Sequence, residues 1–152
     1  NSSRFGKYVA MRFDDKCELK GAEVQTFLLE KSRVVATTAT GERNYHIFYH
    51  VLLGAGLLPD ADPNTQRLLN RSSCTEVPGV DDLEDYRQLV AAMSDIGMVQ
   101  QEIAEVQQAI AAILALGNID FGDSPDDPAS ISDANLAQIA IRFLGTDGLE
   151  HA

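Results

Sequence analysis

Hydrophobic and polar residues alternate near the start of the chain, which is the two-residue period of a β-strand with two unlike faces. The two alternating sets are Val9, Met11 and Phe13, and Tyr8, Ala10 and Arg12. A turn is predicted at residues 14–16, and a second strand is predicted from about Cys17 to Leu29. Its apolar phase shifts across Gly21, which predicts a β-bulge there. The chain is therefore expected to begin with a β-hairpin.

Beyond the hairpin, apolar residues recur at helical spacing in four segments. The first two sets are Tyr45, Phe48, Tyr49, Leu52 and Leu53, and Leu83, Tyr86, Val90 and Met93. Asn44 is predicted to cap the first helix, which should be largely buried and end at Gly54 and Gly56. Asp81 or Asp82 is predicted to cap the second helix, and Gly97 to end it. A loop should separate these two helices at residues 59–64, which contain Pro59 and Pro63.

The other two helical segments follow in the second half of the chain. Their apolar positions are Ile103, Val106, Ile110, Ile113 and Leu114, and then Leu136, Ile139, Ala140 and Phe143. The third helix should run to Gly117, and Ser132 should cap the fourth. The acidic residues 120–127 lie between them, and Gly122 and Pro125 predict an exposed loop. The pattern as a whole predicts an α-rich α/β fold, with two strands followed by about four helices.

Composition narrows the possible functions. The chain has 152 residues, of which 45% are hydrophobic, so it is long enough for one domain or part of a larger one. The net charge of -11 disfavours nucleic acid and anionic membranes as partners. Cys17 and Cys74 form no metal-binding or disulfide pattern, and no apolar run is long enough to span a membrane. Because the chain begins without methionine, in the middle of a motif, we expect a fragment.

No self-contained catalytic motif is present: the sequence lacks a phosphate-binding P-loop, a nucleophile elbow and H-E-x-x-H. His46 and His50 lie one helical turn apart, but no third metal ligand is near in sequence, which favours a structural role for both. Glu102, Glu105 and the acidic loop have no cation or histidine nearby in sequence, and are interpreted as a solvated surface.

The first seven residues, N-S-S-R-F-G-K, place two hydroxyls, a guanidinium and a glycine before a strand. With Tyr8 they resemble the end of switch I in the myosin motor domain. T-F-L-L-E-K-S-R-V-V at residues 26–35 and G-E-R-N-Y-H-I-F-Y at residues 41–49 resemble the segments that follow in that family, as does L-A-L-G-N-I-D-F at residues 114–121. These motifs come in the family's order and cover nearly the whole chain. His50 departs from the pattern, since myosins more often have glutamine there.

The resemblance implies roles for the first four residues. Ser3 would supply a hydroxyl to Mg²⁺, and Ser2 would contact the γ-phosphate of ATP and the attacking water. Arg4 would pair with the switch II glutamate as the site closes, and Asn1 would lie at the edge of the nucleotide site. Ser2 and Arg4 are therefore the candidate catalytic residues. The nucleotide-binding candidates are Asn1, Ser2 and Ser3.

The resemblance also implies the organisation of the parent protein. Residues 1–7 would end switch I, residues 8–35 would form transducer strands, and residues 36–152 would form the helical upper 50-kDa subdomain of a P-loop NTPase motor. The acidic residues 120–130 would correspond to a surface loop that reaches toward actin. The implied parent is a cytoplasmic, cytoskeletal myosin that couples Mg-ATP hydrolysis to movement along actin.

The implied partners are actin filaments, the remainder of the motor domain, and light chains or calmodulin on the neck. The chain alone should be inactive, because the P-loop and switch II are missing. The alternative from a different class is a free-standing acidic helical protein-interaction module.

Overall fold

The computed structural model describes residues 5–28, 40–120, 137–139 and 141–142. The chain divides into two compact units, Asn1–Ala36 and Thr37–Ala152. The described part of the first unit is a two-stranded antiparallel sheet, and the described part of the second is helical. This agrees with the predicted succession of two strands and several helices.

The hairpin consists of β1 (Phe5–Phe13) and β2 (Leu19–Leu28). The predicted turn joins them, and Asp14 organises it: its Oδ1 accepts hydrogen bonds from the backbone N–H groups of Lys16 at 2.9 Å and Glu18 at 3.0 Å. Asp14 Oδ2 also lies 2.8 Å from Lys20 Nζ. The Lys20 side chain and these backbone donors lower the pKa of Asp14, because each favours the ionised carboxylate.

The predicted bulge is present. Arg12 pairs with Gly21 and Phe13 pairs with Leu19, so Lys20 is the extra residue on β2. One inserted residue reverses the alternation of all later side chains, which explains the phase shift in the sequence. The irregularity lies next to Gly21, and the prediction is confirmed.

One face of the hairpin is apolar and exposed. Val9 pairs with Val24, Met11 pairs with Ala22, and the next pair is Phe13 with Leu19. The larger side chains of this face belong to residues that are 46–62% exposed, namely Val9, Met11, Phe13, Leu19 and Val24. An isolated two-stranded hairpin is marginally stable at best in water. A contiguous apolar face of this kind is typical of strands that another part of a protein covers.

The helical unit contains α1 (His46–Gly54), α2 (Arg67–Asn70), α3 (Asp82–Asp95) and α4 (Gln100–Asn118). Residues 137–139 and 141–142 are also helical. Ile139 is the one apolar position of the predicted fourth helix among them. Its proposed cap Ser132 and its positions Leu136, Ala140 and Phe143 lie outside the described residues.

The core of this unit is centred on α1, as the sequence predicts. Its buried members come from three helices: Phe48, Tyr49, Leu52, Leu69 and Leu114. Tyr49 is fully buried, and Phe48 and Tyr45 pack edge to face with ring centroids 5.9 Å apart. Burial of such side chains contributes about 1.5–3 kcal/mol each. Leu53 is an exception to the predicted set, because it is 39% exposed.

Of the two predicted N-caps in the described helices, one is present in the structure and the other is not. Asp81 caps α3, since its Oδ1 accepts from the backbone N–H groups of Leu83 at 3.1 Å and Glu84 at 3.0 Å. Asn44 does not cap α1, because the residue at the cap position is Tyr45. The Asn44 side chain instead donates from Nδ2 to the carbonyl of Leu68 at 2.8 Å. Asn44 therefore joins the start of α1 to α2.

The end of α3 agrees with the prediction, whereas the buried face of α4 agrees with it only in part. Gly97 ends α3 with a φ of +93°, a conformation that favours glycine. In α4, Ile103 and Leu114 are buried as predicted, but Val106 and Ile113 are 37% and 39% exposed. The other buried positions of α4 are Ala111, Ala112 and Ala115. No helix among the described residues has the length and apolar character needed to cross a membrane.

Candidate functional site

The switch I candidates lie outside the described residues. Asn1, Ser2, Ser3 and Arg4 precede β1, which begins at Phe5. Their proposed contacts with nucleotide, Mg²⁺ and switch II therefore stay predictions. Hydroxyl oxygens, as in Ser2 and Ser3, are hard ligands of the type that Mg²⁺ prefers.

Among the described residues, the polar cluster with the most buried charge lies where the start of α1 meets the start of α3. Arg43 Nη2 lies 2.6 Å from Asp82 Oδ2, and the two side chains are only 4% and 12% exposed. The Arg43 guanidinium also lies over the Tyr49 ring, 3.7 Å from its centroid. A cation in this position gains from both the carboxylate and the ring electrons. The contact fixes α3 to α1.

His50 faces the same carboxylate from α1. Its Nε2 lies 3.7 Å from Asp82 Oδ1 and 3.8 Å from Asp85 Oδ2. Burial lowers the pKa of the His50 imidazole, and this outweighs the opposite effect of Asp82 and Asp85, while Arg43 adds to the lowering. The imidazole is therefore neutral near pH 7.

These contacts change one premise in the interpretation of the histidine pair, namely that no third ligand is near; the structural role predicted for both histidines is not contradicted. The sequence indicates no third ligand near His46 and His50, but the fold brings Asp82 and Asp85 to His50. The possible ligand atoms of these three residues all lie within 4.8 Å of one another. His46 is exposed, and its ring centroid is 6.3 Å from that of His50. Sequence spacing misses the cluster because Arg43 and Asp82 are 39 residues apart.

The other acidic candidates have local partners. Glu102 Oε2 accepts from the backbone N–H of Val99 at 2.9 Å, at the start of α4. Glu105 accepts from Gln101 Nε2 at 3.0 Å. Both glutamates are exposed, as predicted. Glu102 therefore stabilises the start of α4, and Glu105 forms a hydrogen bond on the surface of the same helix.

The first residue of the acidic loop has a cation beside it, contrary to expectation. Asp120 Oδ1 lies 2.6 Å from Arg67 Nη2. Arg67 N–H also donates to Asn118 Oδ1 at 2.8 Å, so the start of α2 is joined to the end of α4. The remaining loop residues, 121–127, lie outside the described part of the chain. The charge of Asp120 is thus partly compensated.

Comparison with known proteins decides the family. A family model described as myosin head (motor domain) matches residues 1–152. The chain belongs to the myosin motor-domain family. This confirms the resemblance drawn from the N-terminal motif and the segments that follow it.

Named relatives support the same family. Myosin IB heavy chain of Dictyostelium discoideum is 40% identical over 152 residues, which cover 97% of this chain and 14% of the relative. Myosin-1 of Aspergillus niger is 39% identical over 155 residues, which cover 99% of this chain and 12% of the relative. Myosin-1 of Emericella nidulans is 40% identical over 152 residues, again 12% of its length. The chain therefore spans a small part of the curated relatives that it matches.

Within this myosin segment, the described polar cluster combines groups that form ion pairs and ligate cations. Its groups are an imidazole, two carboxylates and a guanidinium that is engaged by Asp82. No hydroxyl or thiol lies among them as a nucleophile. The chemistry that these groups can perform is to hold two helices together and to ligate a cation.

Proposed function

We propose that this chain is the part of a myosin motor that runs from the end of switch I through the upper actin-binding cleft. The whole-chain match to the myosin head model carries the proposal. In the parent, Mg-ATP hydrolysis would drive movement along actin filaments, with light chains or calmodulin on the neck. The cofactor would be Mg²⁺ with ATP, and the parent would act in the cytoplasm on the cytoskeleton.

The exposed apolar face of the hairpin supports this assignment. Residues 8–35 would be transducer strands, and the rest of the motor's sheet and its helices would cover the face that carries Val9, Met11 and Val24. The helices within residues 36–152 would form the upper 50-kDa subdomain. The twisting of the sheet would link phosphate release to closure of the actin-binding cleft.

Residues 1–7 would contribute the end of switch I. Ser3 would ligate Mg²⁺, Ser2 would contact the γ-phosphate and the attacking water, and Asn1 would border the nucleotide. Arg4 would pair with the switch II glutamate, and this ion pair would close the phosphate site and exclude bulk water. Because the P-loop and switch II belong to other parts of a myosin, the isolated chain would not hydrolyse ATP.

The decisive experiment concerns Arg4 in the complete parent motor. Arg4→Ala should leave nucleotide binding largely intact but slow hydrolysis by about two orders of magnitude or more, because the ion pair forms only as the site closes. Single-turnover assays measure this directly. Arg4→Glu should have the same defect, and reversing the charge of the switch II partner should restore turnover. Normal hydrolysis by Arg4→Ala would refute the assignment.

A free-standing acidic interaction module is the alternative. The gene upstream of Asn1 distinguishes the two, since a motor requires a G-x-x-x-x-G-K-T loop followed by the beginning of switch I. Titration of the isolated chain with Mg-ATP provides a second check. Micromolar affinity of this chain alone would contradict the proposed division of the nucleotide site.

A further inference from the structure

We propose that His50, Asp82 and Asp85 form a binding site for a divalent transition-metal ion, with Zn²⁺ as the best-suited ion. The site joins α1 to the first turn of α3. It uses none of the residues proposed for the nucleotide site at the start of the chain and does not depend on that proposal.

The distances suit a metal. Nε2 of His50 lies 3.7 Å from Asp82 Oδ1 and 3.8 Å from Asp85 Oδ2. These separations are too long for hydrogen bonds. A tetrahedral zinc ion with bonds of about 2.0–2.2 Å places its ligands about 3.4 Å apart, so the imidazole and each carboxylate need to approach by only a few tenths of an ångström. The ligand atoms of all three residues lie within 4.8 Å of one another.

The facing atoms also lack other partners. His50 Nε2 and Asp82 Oδ1 are buried and accept or donate no hydrogen bond. Burial of such atoms without a partner is unfavourable. A metal ion that accepts lone pairs from both atoms would remove this cost.

Neighbouring groups orient the ligands and set the local charge. Arg43 donates to Oδ2 of Asp82 and so holds Oδ1 toward His50. Such an outer contact is typical of carboxylates that ligate metals. A histidine ligates a metal through its neutral imidazole, the form that predominates above the ordinary pKa of histidine. Two carboxylates outweigh the single charge of Arg43, so the local field still favours a cation.

The ligand types select the ion. Imidazole with carboxylate suits Zn²⁺ and related transition metals, whereas Ca²⁺ and Mg²⁺ prefer oxygen ligands alone. Three protein ligands leave a fourth position for water. Asp85, whose side chain is 46% exposed, gives that position access to solvent.

The test is a calorimetric titration of the full 152-residue chain with ZnCl₂ at about pH 7.5, above the ordinary pKa of histidine. Every protein tested carries Cys17→Ser and Cys74→Ser as background substitutions, so that thiols cannot bind the metal. We expect one site per chain and an increase in the thermal unfolding midpoint that EDTA reverses. His50→Gln should weaken binding about tenfold or more, and abolish the stabilisation by zinc.

Two further variants make the result specific. His46→Gln is the matched control, because it removes an exposed imidazole from the same helix, and it should bind zinc as the parent does. Asp85→Asn removes a ligand whose side chain is half exposed, so it should have little effect on the stability of the fold. It should weaken zinc binding, and it can be measured even if His50→Gln unfolds the chain. Absence of zinc binding in the background chain, unchanged affinity in Asp85→Asn, or loss of binding in His46→Gln would overturn the proposal.

Discussion

Arg43 is the charged residue on which the contact between α1 and α3 depends. Its guanidinium is shared between Asp82 and the face of Tyr49, and the Tyr49 hydroxyl accepts from the backbone N–H of Asn44 at 3.3 Å. Each group in this chain of contacts is buried or nearly so. A buried ion pair contributes little relative to apolar residues of the same shape, but removal of one partner leaves a costly charge.

Arg43→Met should therefore lower the free energy of unfolding by about 3 kcal/mol or more, since Asp82 loses its buried cation. Urea denaturation followed by circular dichroism measures the change. The double variant Arg43→Met, Asp82→Asn should lose less than the sum of the two single variants. Arg87→Met is the matched control: its ion pair with Glu84 is 61% and 49% exposed, so its loss should cost about 0–1 kcal/mol. Additive losses in the double variant would contradict the coupling.

At the scale of elements, the sequence predicts where helices lie better than which faces they bury. Asp81 and Gly97 act through local backbone interactions, and they mark the start and the end of α3 as predicted. Val106 and Ile113 have the right spacing for α4, yet α4 buries Ala111, Ala112 and Ala115. Burial depends on which neighbour covers a face. Small residues such as alanine allow a neighbouring helix to pack closely. A prediction based on the spacing of large apolar residues overlooks them.

Close approach also governs the contact between α1 and α3. A Cβ at Gly54 would fall on the ring of Tyr86, which belongs to α3. The Tyr86 hydroxyl also accepts a hydrogen bond from Gln107 Nε2 at 3.0 Å, which restrains the ring. The ring cannot move freely, so the glycine is required by packing.

Gly54→Ala should destabilise the helical unit by about 1–3 kcal/mol, because overpacking outweighs the gain of about 1 kcal/mol in helix propensity. A lower urea midpoint of the helical signal would report this. Gly21→Ala is the control, since a Cβ there meets nothing within 4 Å. A midpoint for Gly54→Ala at or above that of the unchanged chain would show that Tyr86 can move aside.

For the whole molecule, the family could be identified from ordered local motifs, whereas the polar cluster could not. N-S-S-R-F-G-K-Y is contiguous, so its resemblance is visible in the sequence alone. His50 meets Asp82 and Asp85 only after α1 and α3 have packed together. The same limit applies to Asp120, whose cation Arg67 lies 53 residues earlier in the chain, in α2. Long-range pairs depend on tertiary structure, and spacing rules carry no information about them.

The last prediction concerns the acidic residues 120–127, which are proposed to approach actin in the complete motor. Asp120, Asp123, Asp126 and Asp127 bring four negative charges and no lysine or arginine into the segment. Arg67 partly compensates Asp120, so the repulsion of an acidic filament should arise mainly from the other three. Replacement of those three aspartates by asparagine should strengthen weak actin binding a few-fold at low ionic strength. At high salt the gain should nearly vanish, since charges are screened over about 10 Å at 0.1 M.

Cosedimentation of the complete motor with actin across a salt series measures this effect. Ser124→Asn is the matched control, since it changes a side chain of the same segment without changing its charge, and it should leave the affinity unchanged. A structural or calcium-binding role of the loop would make the triple replacement neutral or harmful, with no dependence on salt of this sign. Because exposed rim charges act mainly on association, the gain should appear in the rate of actin binding. Unchanged or weaker binding of the triple variant at low salt would exclude electrostatic repulsion by this segment.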